Sequence, residues 1–107
     1  MILKSTDIKR GATLSLGGYI NLPAGVWTIE SMVRDGNGEL IQVLTAELTP
    51  PVAPSTQYGV LLTCSAEDTS VWPLGTLFCD VRFTNDDLVV IISPTFNIVV
   101  LEEYTHA

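Results

Sequence analysis

A chain of 107 residues, 47% hydrophobic and 16% charged, has the length of one domain and too much apolar content to stay disordered. Twelve acids against five bases give a net charge of −7, which repels phosphate backbones and argues against nucleic-acid binding. One domain over residues 1–107 is expected, large enough to fold without a metal or a disulfide.

The N-terminus carries three of the five cations, Lys4, Lys9 and Arg10, while most acids lie beyond Arg34. Residues 1–10 therefore read as a basic arm able to dock on the acidic face of a neighbouring copy, or as an ordinary solvated terminus. After Met1 comes Ile2-Leu3-Lys4, without the apolar core of a signal peptide. The longest apolar run, Leu88 to Ile92, is far too short for a membrane helix. A soluble protein in a reducing cytoplasm is expected, with no membrane partner.

Turn-forming residues recur every dozen or so positions with alternating apolar residues between them, the pattern of short strands. The first, "ATLSLGGYI", sets Leu14 and Leu16 on one face, and Gly17-Gly18 invites a bulge or bend. "VWTIESMVRDGNGELIQVLTAEL" reads as a hairpin with Trp27, Ile29, Ser31 and Val33 facing inward on one strand. Leu40, Gln42, Leu44 and Ala46 face inward on the other. A turn centred on Gly36-Asn37 pairs Val33 with Leu40, Ile29 with Leu44 and Trp27 with Ala46. "TPPVAPSTQ" holds three prolines and is a crossover between sheets or a surface loop.

"YGVLLTCSA" puts Tyr58, Val60, Leu62 and Cys64 on one face, and "VWPLGTLFCDVRF" supplies the expected neighbouring strand. There Leu77, Cys79, Val81 and Phe83 face inward, and Phe78, Asp80 and Arg82 outward. A turn at Asn85-Asp86 pairs Phe83 with Leu88 and Val81 with Val90. After Pro94, "TFNIVVLEEY" makes a last strand. Seven or eight strands joined this way predict an all-β domain, an antiparallel two-sheet sandwich of immunoglobulin-like type, with a small closed barrel as the alternative.

Chemistry-bearing residues are sparse. Cys64 and Cys79 fall on strands expected to be adjacent, so a disulfide is geometrically feasible, although buried free thiols are the expectation in a reducing compartment. Two cysteines and one histidine, His106, make no zinc site, and a histidine next to the chain end is poorly placed to serve a nucleophile. The adjacent acids Glu67-Asp68, Asp86-Asp87 and Glu102-Glu103 read as solvated turn and terminal residues. "DGNGE" resembles the start of a calcium loop, but counting from Asp35 puts Leu40 where the glycine belongs and Ala46 where the bidentate glutamate belongs. The expectation is no enzyme, no cofactor, no metal and no small-molecule substrate. Trp72, restrained by Pro73, reads either as an interface anchor or as a cap over the end of the core. The outward Phe78 suggests a covered sheet face. Lys4, Lys9, Arg10, Trp72 and Phe78 are thus the candidate interface residues.

"GATLSLGGYINLPAGVW", "VRDGNGELIQVLTAEL", "WPLGTLFCDVRF" and "ISPTFNIVVLEEYT" together resemble small immunoglobulin-like β-sandwich proteins of tailed bacteriophages and prophages. The resemblance spans about Asp7 to Thr105 and rests on structural motifs, with Asp80 and Arg82 part of an outward-facing strand pattern. It implies a virion structural or assembly component of tail, baseplate, neck or decoration type. Such a protein packs against itself or other phage proteins, and resides in the host cytoplasm during assembly and then in the virion. The competing class is a carbohydrate- or peptide-binding module using Trp72 and Tyr58 as stacking platforms.

Overall fold

The computed structural model describes residues 4–105. Nearly all regular structure is strand: β1 (Thr6–Lys9), β2 (Leu14–Ile20), β3 (Trp27–Arg34), β4 (Leu40–Thr49), β5 (Tyr58–Cys64), β6 (Gly75–Asn85), β7 (Val90–Ile92) and β8 (Phe96–Leu101). One helical turn, α1 (Ala66–Thr69), interrupts the series between β5 and β6.

The fold is all-β, as the alternation predicts, but the strands make one mixed, hydrogen-bonded series. Its order is β1-β8-β6-β3-β4-β5-β2, with β7 beside β6. The antiparallel expectation fails at β1, which runs parallel to β8. Residues 6–9 are thus part of the sheet, although a four-residue strand with one apolar residue, Ile8, gives almost no periodic signal. β4 joins the two halves of the series: Leu40–Leu44 pair with β3, and Thr45–Thr49 pair with β5. The series curls round one core that takes side chains from every strand except β7, whose Ile91 packs against its margin. β1 and β2, at opposite ends of the series, are linked by a turn closed by the Ala12 N–H donating to Lys9 O at 3.0 Å. The arrangement is close to a barrel.

Several pairings differ from expectation. β5 lies between β2 and β4 and does not pair with β6. The chain leaves it through α1, capped by Ser65, whose Oγ accepts the Asp68 N–H at 3.2 Å. The proline-rich segment is a surface connection between two paired strands, with Thr49 opposite Gly59. Gly17 and Gly18 run in continuous register with Leu61 and Val60, without a bulge.

Both hairpins turn through three residues where two were expected. In the first, the Asp35 N–H donates to Glu39 O and the Gly38 N–H to Asp35 O, both at 3.0 Å, with Gly38 at φ +80°. Val33 then pairs with Gln42 and Ser31 with Leu44, and the register shifts between Val33 and Arg34. Val33 and Leu44 partner residues two positions from those expected, and an even shift leaves their side chains on the expected face, while the register shift turns Leu40 outward beside Arg34 and brings Ile41 against the core. In the second, Phe83 pairs with Ile91. That is a shift of three, which turns Leu88 and Val90 outward and brings Ile91 against the core.

Candidate functional site

Sequence reasoning picks out Lys4, Lys9, Arg10, Trp72 and Phe78, and the structure does not gather them. Lys4 is exposed. Lys9 Nζ donates to Glu102 O at 3.3 Å and lies 5.3 Å from the centre of the Tyr104 ring. The Arg10 N–H donates to Leu101 O at 2.8 Å. Lys9 and Arg10 therefore contact the end of their own chain. Trp72 is 1% exposed, its indole N–H donating to Gln42 Oε1 at 3.3 Å. That bond explains why a glutamine occupies an inward position on β4, and it makes Trp72 a cap on the core, not a surface anchor. Tyr58 is also buried, its hydroxyl 3.4 Å from Gly25 O, so neither aromatic presents a face for a sugar to stack on. Phe78, 38% exposed, stands on the open outer face of the sheet.

Cys64 and Cys79 are both free and buried. They sit on strands that do not pair, which removes the expected route to a disulfide. Burial pushes the Cys79 thiol up to about 11, with the nearby Asp80 charge adding to the rise and a hydrogen bond with Ser31 opposing it. Ser31 Oγ lies 3.2 Å from Cys79 Sγ and donates to Asp80 O at 2.7 Å. The Cys64 thiol is raised as well, first by burial and then by Asp68. Burial thus favours the protonated thiol at both positions.

The adjacent acids are exposed: Glu67-Asp68 in α1, Asp86-Asp87 at the β6–β7 turn and Glu102-Glu103 after β8. Among the described residues no three of histidine, cysteine, aspartate and glutamate cluster closely enough to hold a metal. No helix of the described residues is long and apolar enough to cross a membrane. His106 lies outside the described residues.

What the structure does assemble is a groove on the outer face of β3 and β6. Residues of alternate parity on these antiparallel strands point outward, so Met32 stands beside Asp80 and Arg34 beside Phe78. Ile92 borders the groove where β7 ends, and Ser93-Pro94 separates β7 from β8 along the same edge of β6. The break is held by Ser93, whose Oγ accepts the Val81 N–H at 2.9 Å and whose own N–H donates to Val81 O at 2.9 Å. The groove encloses about 430 Å³. Its walls hold Arg34 and Arg82, the only cations beyond residue 10, with Glu30 3.8 Å from Arg82.

The β6–β7 hairpin rises beside it. Its tip has the same hydrogen bonds as the first hairpin, with Asn85 in the place of Asp35. Asn85 Oδ1 accepts the Asp87 N–H at 3.0 Å and the Val89 N–H at 2.8 Å, as Asp35 Oδ1 accepts those of Asn37 and Glu39 at 2.9 and 3.0 Å. Leu88, at φ +61°, stands where the first hairpin has Gly38. It is 81% exposed, and Val89, Val90 and Ile92 are exposed beside it. The position of Phe78 was legible from strand alternation. The groove was not, since it depends on which strands are neighbours. No protein-family model and no curated protein matches the chain.

Proposed function

We propose that this protein is a phage or prophage structural or assembly component, of tail, baseplate, neck or decoration type, acting by packing against copies of itself or other phage proteins. It would do so in the host cytoplasm and then in the virion, on an immunoglobulin-like two-sheet scaffold. The pairings β2–β5–β4 and β8–β6–β3 support the scaffold reading, as they match the division of strands between the two sheets of that fold.

The observation that carries the functional reading is the apolar ground on and beside the β6–β7 hairpin. Leu88, Val89, Val90 and Ile92 are exposed together, with Phe78 on the same sheet. Lone apolar residues on a surface need no explanation, whereas a contiguous group marks a contact surface. The four-segment resemblance to phage sandwich proteins points the same way, and the buried thiols offer no competing chemistry.

Size-exclusion chromatography with light scattering over a concentration series tests the reading. A discrete oligomer, three- or six-fold, is expected. A monomer at every concentration that also fails to bind co-expressed structural proteins of the same phage overturns it.

A further inference from the structure

We propose that the tip of the β6–β7 hairpin of one copy, residues Asp86 to Val89, docks in the β3–β6 groove of a second copy of this chain. The inference rests on the packing role above and names the surfaces that carry it.

The first observation is the tip. Leucine at positive φ is disfavoured, because Cβ crowds the backbone. An apolar side chain left 81% exposed recovers nothing within its own chain. An outlier of this kind, in a turn otherwise well fixed by Asn85, points to use of the residue beyond the monomer. The turn bonds also hold the tip in one shape, so little order is lost when it docks. The tip presents Leu88 together with two carboxylates, Asp86 and Asp87, both exposed.

The second observation is the groove, whose character is complementary. Phe78, Met32 and Ile92 offer apolar surface, and Arg34 and Arg82 offer cations beside the groove's own acids, Glu30 and Asp80. Both arginines are open to new partners. Arg34 donates to Gly38 O at 3.0 Å and has no carboxylate within 4 Å among the described residues. Arg82 meets Glu30 at 3.8 Å, too long for a hydrogen-bonded pair, with both side chains about half exposed. In a chain of net charge −7, most surfaces repel another copy. An acidic tip meets favourable charge only at the N-terminal cations or here. Of these, the Lys9 ammonium already engages the chain's own C-terminal segment, which Arg10 meets only through its backbone N–H. The groove brings two arginines and apolar area together in one place, its own acids leaving it near neutral in a chain of net charge −7. The tip pairs an apolar side chain with two carboxylates that those arginines can meet.

Charge exchange tests the proposal. The variants D86R/D87R and R34E/R82E are each expected to weaken self-association roughly tenfold or more, as read by light scattering, with circular dichroism and melting checked against wild type. An equimolar mixture is expected to restore it, because each inverted tip then meets an inverted groove. Leu88→Gly separates docking from stability: it should weaken association while the melting temperature rises. K4E/R10E should leave association unchanged. Association that survives both inversions, or that fails to return on mixing folded variants, overturns this docking while leaving the packing role intact. A wild-type chain that never self-associates overturns this docking and the self-packing part of that role.

Discussion

Cys79, 2% exposed and set against Ser31 in the middle of the sheet, links a single side chain to the stability of the domain. Its thiol is held up to about 11 from an ordinary 9.0 chiefly because burial penalises the thiolate. The folded state therefore favours the protonated form more than the unfolded state does. That preference is fully present below about pH 9 and is lost as pH rises towards 11. Two pH units correspond to roughly 2–3 kcal/mol at most. Urea denaturation at pH 8, 10 and 11 should show wild type losing more stability over this interval than Cys79→Ala, with little difference in slope below pH 9. The inward position of Cys79 was legible in the alternation of β6. Its contact with Ser31 was not, since it depends on the pairing of β3 with β6 across 48 residues.

The two hairpins show how far local pattern carries. In both, the sequence marks the turn correctly, and in both the loop is one residue longer than a two-residue turn. The extra residue sits at positive φ, Gly38 in one and Leu88 in the other. Glycine takes that conformation at little cost, whereas leucine pays about 1 kcal/mol for it. Leu88→Gly is therefore expected to stabilise the domain by up to about 1 kcal/mol, and Gly38→Leu to destabilise it by about the same amount or more. Matched denaturant midpoints would check the pair, and opposite signs are the expected result. Register was the part that local pattern missed. An even shift kept the faces of β3–β4 beyond its bulge, where Leu40 alone turned outward, while an odd shift in β6–β7 exchanged them and exposed the surface proposed for docking. β1 was missed for a different reason: its place is set by β8, more than ninety residues away, and not by its own four residues.

At the scale of the molecule, the chain closes on itself late. β1 pairs with the last strand, β6 reaches back to β3, and β5 is flanked by β2 and β4. Few of these contacts are local, and non-local strand pairing slows folding because the loop entropy is lost before the contacts form. Stopped-flow refolding is expected in the range of milliseconds to seconds, well slower than a helical bundle of equal length. A microsecond phase carrying the full fluorescence change would contradict this topology. All-β class, seven of the eight strands and most inward faces could be read from alternation and turn residues. The order of strands could not, because β4 divides its pairing between β3 and β5 and nothing in its sequence marks the change at Leu44-Thr45.

The parallel contact between β1 and β8 also bears on mechanics. Thr6 to Lys9 run in the same direction as Ile98 to Leu101, rung against rung. Tension that enters ahead of β1 and leaves after β8 draws the two strands lengthwise past one another. Every rung between them then bears load together, and resistance is set by the barrier to sliding and not by equilibrium stability. A pull across the β6–β7 hairpin instead opens its rungs in succession. The molecule is consequently stiff along the line of its chain and yielding at the hairpin.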